Sequence, residues 1–209
     1  MGFADAVGVS VGGVLDTEGV SRHGHDGTGV KVLAIGSEGN VGAPLVEYLR
    51  SCGHEVFGTD IKPGYRPEYA MADINHPVDL LDAFDWGPDV VYLMAAVVSR
   101  VTSEQAGSLA IATNLGGANN MIQLTKRVGA KLVFFSTSEV YGPTEGIMDE
   151  DSTIPRPNNR YGLTKYLGEQ IVDYEVRTYG LRAVTVRPLR ASCCISKGCT
   201  FSPWRTHSS

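Results

Sequence analysis

The sequence has few cysteines for its 209 residues, and three of the four are crowded near its end. This distribution excludes a disulfide framework and paired Cys-x-x-Cys zinc sites. Cys194, Cys199 and His207 carry side chains that can bind metals, but we expect unrelated free thiols there. No metal site is therefore predicted.

The sequence also lacks a long apolar run and a run of basic residues. No stretch reaches the roughly 18 apolar residues of a membrane helix, so no membrane partner is expected. The formal net charge of −5 argues against a nucleic-acid surface. The first residues lack the basic segment and compact apolar core of a signal peptide. We therefore expect a cytoplasmic protein.

Short apolar runs alternate with stretches of helical spacing between residues 30 and 188, without an internal repeat. The predicted strands are 30–35, 55–59, 69–72, 89–94, 131–135 and 183–186, and the predicted helices are 43–51, 77–84, 103–128 and 161–179. This alternation predicts an α/β fold, a doubly wound parallel sheet of the Rossmann type with strand order 3-2-1-4-5-6. Residues 1–29 show no sustained period and are expected to be a flexible extension.

A glycine-rich loop connects the first predicted strand to the first predicted helix, as a dinucleotide fold requires. Gly36 permits the tight turn, Gly39 lets backbone N–H groups approach a pyrophosphate, and Gly42 lets helix and strand pack closely. We predict a dinucleotide site formed by these glycines with Asn40 and Val41.

An acid ends the second predicted strand, about 20 residues beyond the glycines. Asp60 can accept hydrogen bonds from both ribose hydroxyls and would repel a 2′-phosphate, so NAD is favoured over NADP. Lys62 and Arg66 lie close in sequence and weaken this preference. The alternative is that Asp60 is a turn residue before Pro63 and Gly64.

Hydroxyl groups and a carboxylate follow the fifth predicted strand, at the sheet edge where open α/β folds bind their ligands. They belong to Thr137, Ser138 and Glu139. Tyr161 and Lys165 are four residues apart and therefore share one face of the last predicted helix. An ammonium group favours the phenolate, so we expect Lys165 to lower the pKa of Tyr161 and make it a better base.

The spacing Tyr-x-x-x-Lys after an upstream hydroxyl resembles the short-chain dehydrogenase/reductases. The stretch Ser-Thr-Ser-Glu-Val-Tyr-Gly at residues 136–142 resembles the extended branch, which acts on nucleotide sugars. The resemblance covers about residues 30–188 and implies an NAD-binding Rossmann domain. It also implies a C-terminal sugar-binding domain, which we expect to be absent or truncated here. Residues 189–209 are expected to be an irregular tail that arises from truncation or a frame-shift.

The resemblance assigns further cofactor contacts, in addition to Tyr161 and Lys165. An acid at the position of Asp73 contacts the adenine, with Ile74 beside it, and the small Ala95 and Ala96 leave room for the cofactor. Asn114 corresponds to an asparagine near the active site; the alternative is an asparagine that faces solvent. Residues 99–101 are expected on the substrate side.

The chemistry that the resemblance implies is oxidation at C4 of the sugar by an epimerase, dehydratase or decarboxylase. Tyr161 removes the hydroxyl proton, Thr137 binds the same oxygen, and Lys165 holds the cofactor ribose. Ser138 and Glu139 are similar to residues of UDP-glucuronate decarboxylases, whereas 4,6-dehydratases have Thr-Asp-Glu. Glu139 would act as an acid/base or position the sugar. A homodimer through the helices that flank the active site is also expected.

Two other interpretations remain open from the sequence. One is an NAD(H)-dependent oxidoreductase that acts on a non-sugar alcohol or ketone, which would consume added cofactor. The other is a truncated, non-catalytic NAD-binding module, which would bind the cofactor without turning over a nucleotide sugar.

Overall fold

The computed structural model describes residues 29–144, 148–150 and 152–188. The predicted extension before residue 29 and the predicted tail after residue 188, with its cysteines and histidine, lie outside the described residues.

Six parallel strands form one sheet in the order β3-β2-β1-β4-β5-β6, which confirms the predicted topology. The strands are β1 (Lys31–Ile35), β2 (Glu55–Asp60), β3 (Tyr69–Met71), β4 (Val90–Leu93), β5 (Lys131–Phe135) and β6 (Ala183–Val186). Parallel strands buried on both faces are nearly continuous apolar runs, and these strands are largely of that kind. Because β1 pairs with both β2 and β4, the strand order changes direction beside the glycine loop.

The helices are α1 (Gly42–Ser51), α2 (Leu81–Asp85), α3 (Arg100–Gln105), α4 (Gly107–Ile111), α5 (Ala118–Val128) and α6 (Arg160–Tyr179). Two 3₁₀ turns span Pro77–Leu80 and Ser138–Tyr141, and a π-helical segment spans Ala112–Gly117.

The predicted single helix over residues 103–128 is wrong in two respects. It begins earlier, at α3, because the Ser99 hydroxyl caps that helix by accepting from the Thr102 N–H at 3.1 Å. It is also broken at Ala106 and widened into the π-helical segment, so four pieces replace one helix. The apolar spacing alone could not predict either feature, because the pieces keep a common buried face.

The sheet separates two hydrophobic clusters. One face carries Leu33, Ile35 and Phe134 and packs against α2, α5 and α6. The opposite face carries Val32 and Tyr92 and packs against α1. Within the described ranges, no helix is long and apolar enough to cross a membrane, and no three His, Cys, Asp or Glu side chains form a metal-binding group.

Candidate active site

The glycine loop lies against the start of the loop that follows β4. Gly36 has φ +90°, which favours glycine, and a Cβ there would lie 2.6 Å from the Ala95 nitrogen. At Gly42 a Cβ would lie 2.0 Å from the Gly36 carbonyl oxygen. Neither position therefore accommodates a side chain, and the loop presents bare backbone at the edge of the sheet.

The start of α1 fits a pyrophosphate. The first N–H groups of a helix have no acceptor inside the helix and attract anions. The first turn of α1 contains no acidic residue, and Gly39, Asn40 and Val41 lead directly into it. The residues predicted for the pyrophosphate are thus gathered at one helix end, where they suit a dinucleotide.

The Asp60 carboxylate is held rigidly at the end of β2. Its two oxygens accept from the Glu38 N–H at 3.0 Å and from the Lys62 N–H at 3.1 Å. The bond to Lys62 is that of a turn residue, whereas the bond to Glu38 ties the carboxylate to the glycine loop. Asp60 is therefore a turn residue as well, and its contact with the ribose stays a prediction, for which each oxygen keeps a lone pair.

The predicted adenine contacts lie beyond β3. The Asp73 carboxylate accepts from the Asn75 N–H and side-chain amide, both at 2.9 Å, so it is oriented at the sheet edge. The Ile74 side chain is 4% exposed and belongs to the core. A cofactor contact by Ile74 would therefore involve its backbone. Ala95 and Ala96 are half-buried beside the glycine loop, and all four contacts remain predictions.

Asn114 is buried, so the alternative of a solvent-facing asparagine is wrong. Its amide exchanges hydrogen bonds of 2.7 and 3.1 Å with the backbone of Val97 and donates to the Thr164 hydroxyl at 3.0 Å. It thus ties the loop after β4 to α6, one residue before Lys165. These bonds use both amide protons, which favours a positioning role over direct cofactor binding.

Thr137 and Tyr161 meet at the carboxyl end of β5. Both side chains line the same cleft, and the Thr137 hydroxyl accepts from the Glu139 N–H at 3.2 Å. Burial raises the pKa of Tyr161, the neighbouring Thr137 hydroxyl lowers it, and the charge of Glu139 raises it again, with a net increase. The expectation that Lys165 lowers this pKa is therefore wrong for the protein alone, because desolvation outweighs the other effects.

Lys165 is almost completely buried on α6. Burial lowers the pKa of its ammonium to about 8, although the charge of Glu169 opposes this change. Its Nζ lies 4.4 Å from the centre of the Phe134 ring. Glu169 is neutralised by Arg187 at the end of β6 through bonds of 2.9 and 2.7 Å. Lys165 thus lies in an apolar setting with one carboxylate nearby that already has a partner.

Glu139 connects the substrate side to the start of α6. Its Oε2 lies 2.7 Å from the Arg100 guanidinium and accepts from the Asn159 amide at 2.8 Å. Asn159 caps α6 by accepting from the Gly162 N–H at 2.8 Å. Sequence reasoning missed this link, although an asparagine just before a helix is a recognisable N-cap signal.

The catalytic candidates line one cleft of roughly 320 Å³. Its walls are formed by Val98, Ser99, Arg100, Val101, Thr137, Ser138, Glu139, Tyr161 and Pro188. Residues 99–101 thus lie beside Tyr161, where the substrate side was expected. Lys165 lies behind this surface, one helical turn beyond Tyr161.

Known proteins match much of this chain. The sequence model of the NAD dependent epimerase/dehydratase family matches residues 32–192. Over 170 residues the chain is 27% identical to a 3β-hydroxysteroid dehydrogenase/Δ5→4-isomerase of Mycobacterium tuberculosis, covering 76% of this chain and 46% of that protein. Over 119 residues it is 34% identical to UDP-glucuronic acid decarboxylase 4 of Arabidopsis thaliana, covering 54% and 27% respectively.

A solved UDP-glucose 4-epimerase of Thermus thermophilus in complex with NAD has the same fold. The TM-score is 0.69 at 30% sequence identity, and the match covers 75% of this chain and 54% of that one. The chain therefore spans about half of the length of that epimerase and less of the two curated relatives.

Proposed function

The chain belongs to the NAD-dependent epimerase/dehydratase family, and from this premise we propose that it carries the NAD site and proton-transfer groups of an enzyme that transiently oxidises C4 of a nucleotide-linked sugar. The observation that carries the proposal is that Thr137 and Tyr161 line the same cleft, with buried Lys165 one helical turn further on. A hydroxyl group of the substrate placed against Thr137 also lies against the phenol that exchanges its proton.

Each residue has a distinct task in this reaction. Thr137 holds the substrate oxygen, and Tyr161 takes its proton as that oxygen becomes a carbonyl. Bound NAD would supply the hydride acceptor for C4 and the hydride that is returned. Lys165 provides the positive charge that stabilises the phenolate once the cleft is filled, and Asp60 holds the ribose of the cofactor.

Glu139 and Ser138 favour a second step after oxidation, as in a decarboxylase or dehydratase. Both line the cleft with Tyr161, and the Glu139 carboxylate is held by Arg100 and Asn159 on its Oε2 alone. The other oxygen keeps its acceptor capacity for a substrate proton or hydroxyl. The similarity to a UDP-glucuronic acid decarboxylase supports this choice over a simple epimerase.

The proposal is tested by substitution of the phenol. Tyr161→Phe keeps the ring but removes the proton-exchanging group, so we expect a loss of about 100- to 10,000-fold in rate. NAD affinity should hardly change. Turnover of UDP-glucuronate and UDP-glucose is followed by product analysis, and NAD binding by calorimetry. An unaltered rate in Tyr161→Phe would contradict the proposed role.

Glu139→Gln tests the second step separately. If Glu139 acts after oxidation, this variant should still form the 4-keto sugar and reduced cofactor and then stall. A single turnover followed at the absorbance of reduced nicotinamide reveals this. Completion at the unmodified rate would remove Glu139 from the mechanism and leave a simple 4-epimerase as the better description.

The similarity to a 3β-hydroxysteroid dehydrogenase supports a second candidate, an oxidoreductase on a non-sugar alcohol or ketone. The two candidates differ in whether NAD is reduced overall, because in an epimerase or decarboxylase the hydride returns from the cofactor to the sugar. Net formation of reduced cofactor with a secondary alcohol, together with no turnover of any nucleotide sugar, would select the second candidate. Binding of NAD without either reaction would indicate a non-catalytic module.

We also propose that two copies of the chain associate through α4 and α6. Leu163, Leu167 and Tyr174 form a stripe on α6 that is between 40% and 49% exposed. Leu109 and Ile111 on α4, which packs against α6, are about half exposed as well. Adjacent exposed apolar side chains on paired helices are typical of a protein interface.

A further inference from the structure

An arginine lies against the glycine loop, where it contacts a residue that is itself bonded to Asp60. The Arg66 guanidinium donates to the Glu38 carboxylate at 2.8 Å and, more weakly, to the Ser37 carbonyl oxygen at 3.5 Å. A second contact joins it to Glu47 at 3.3 Å. The Arg66 and Glu38 side chains are only 25% and 20% exposed, whereas the Glu47 side chain is 73% exposed. The bond to Glu38 is therefore both the shorter and the better shielded.

Glu38 and Asp60 are part of one small structure. The Glu38 N–H donates to Asp60 Oδ2 at 3.0 Å, so the two residues cannot move independently. The neighbouring Tyr69 responds to both charges: burial raises the pKa of its phenol, and Asp60 and Glu38 raise it further. Two carboxylates and one arginine thus surround the place where the adenosine ribose would meet Asp60.

We propose that Glu38 is a second determinant of cofactor choice, which acts with Asp60 by withholding Arg66 from a 2′-phosphate. The inference rests on the NAD site of the proposed function. A phosphate is bound best by the paired N–H groups of an arginine. Glu38 occupies one side of the Arg66 guanidinium and adds a negative charge that a 2′-phosphate would have to approach. NADP is therefore rejected in two ways: the Glu38 carboxylate repels the 2′-phosphate, and it also keeps the Arg66 guanidinium from binding that phosphate.

Arg66 is assigned this role because its guanidinium already lies at the loop. Lys62 contacts Asp60 through its backbone N–H, and Arg50 donates to the carbonyl oxygens of Val56 and Pro67. Release of Arg66 from Glu38 would free its guanidinium at the glycine loop, where it could turn toward a phosphate.

The test measures the affinities of NAD and NADP by calorimetry on the whole chain. Glu38→Gln removes one charge at constant size and keeps the backbone bond to Asp60. We expect NADP to bind about tenfold more tightly or better, and NAD affinity to change much less. Glu47→Gln is the matched control, since it removes the exposed partner of Arg66 and should leave both affinities unchanged. Glu38→Ser provides a second variant with the same expectation as Glu38→Gln.

The role of Arg66 is isolated by adding Arg66→Met to Glu38→Gln, which should abolish the gain in NADP affinity. An unchanged NADP affinity in both Glu38 variants overturns the inference while the proposed NAD site stands. A gain that survives Arg66→Met overturns it as well, because Arg66 would not be the phosphate ligand. If the unmodified chain binds neither dinucleotide, the proposed function fails together with the inference.

Discussion

At the scale of single residues, burial controls the ionisation of the catalytic pair. It raises the pKa of the Tyr161 phenol and lowers that of the Lys165 ammonium to about 8. Both shifts favour the neutral forms, so the protein alone does not provide an activated phenolate. Under the proposed function, the activation would come with the groups that fill the cleft, and the buried Lys165 would be a stability cost of that function.

Lys165→Met should stabilise the fold at pH 7 and abolish activity. The folded pKa of Lys165 lies near 8 against an ordinary 10.5, so the unfolded chain binds more protons between these values. The destabilisation caused by the buried Lys165 ammonium is therefore complete below pH 8 and disappears as the pH rises toward 10.5. We expect a gain of up to about 3 kcal/mol in the free energy of unfolding at pH 7. Urea unfolding at pH 7 and pH 10 measures it.

A matched control for this prediction is Lys126→Met. Lys126 pairs at 2.9 Å with Glu175, which is 6% exposed. Removal of the Lys126 ammonium leaves the buried Glu175 carboxylate with weaker partners, so the free energy of unfolding should fall. A Lys165→Met variant that is less stable than the unmodified chain at pH 7 would show that the ammonium has compensating contacts.

Asp60→Ala should narrow the difference between NAD and NADP. The carboxylate is fixed beside the glycine loop, and we expect the unmodified chain to prefer NAD by about tenfold, or 1.4 kcal/mol. Titration calorimetry with each dinucleotide measures the ratio. Asp82→Ala, on the exposed side of α2, serves as the control and should leave the ratio of the two affinities unchanged. Equal affinities for the unmodified chain would refute the assignment of Asp60.

At the scale of elements, the surroundings of α6 explain its unusual composition. The buried face of α6 contains Gly162, Lys165 and Gly168, whereas Leu163 and Leu167 lie on its exposed face. A Cβ at Gly162 would lie 2.6 Å from the Glu139 carbonyl oxygen, and one at Gly168 would lie 2.7 Å from Phe134. Glycines here let α6 approach the sheet and the turn after β5 closely enough for Tyr161 to reach Thr137.

Replacing either of two adjacent glycines in the π-helical segment by alanine should change stability, but in opposite directions. A Cβ at Gly117 would lie 2.6 Å from the Ile74 side chain, whereas nothing lies within 4 Å of one at Gly116. Gly117→Ala should therefore cost about 1–3 kcal/mol by overpacking. Gly116→Ala should stabilise the protein by about 0.5–1 kcal/mol through a less flexible unfolded chain. Thermal unfolding distinguishes them, and equal effects would indicate that the segment is repacked.

At the scale of the whole molecule, an apolar surface remains beside the cleft. The chain spans about half of the length of a related epimerase of known structure. Within the described part, the exposed leucines of α4 and α6 lie on the helices that carry or flank the catalytic groups. Association through this surface would also hold the start of α6 in place.

Leu163→Glu combined with Leu167→Glu should therefore convert a dimer into a monomer. The charges face outward, so the fold should survive while the interface does not. Sedimentation equilibrium measures the mass, and circular dichroism checks the fold. Val78→Glu, at a 67% exposed position in the turn before α2, should leave the dimer intact. A monomeric unmodified chain at micromolar concentration would exclude the proposed interface.

The architecture could be predicted from the sequence alone. Runs of apolar residues that alternate with helical spacing permit only a buried parallel sheet with covering helices, and the predicted strand order is the observed one. The glycine loop and Asp60 were likewise placed correctly at the ends of β1 and β2, because turns and strand ends depend on local backbone chemistry.

Three features could be learned only from the folded chain: which face of α6 is buried, how the helix after β4 is divided, and what surrounds each ionisable group. Periodicity finds an apolar stripe but not what covers it, so the leucines of α6 gave no sign that they face outward. Charge states depend on distances between segments far apart in the chain, as with Glu139 and Asn159, or Glu38 and Arg66. The pKa of Tyr161 therefore could not be predicted from its spacing to Lys165, because burial exceeds the effect of any one neighbour.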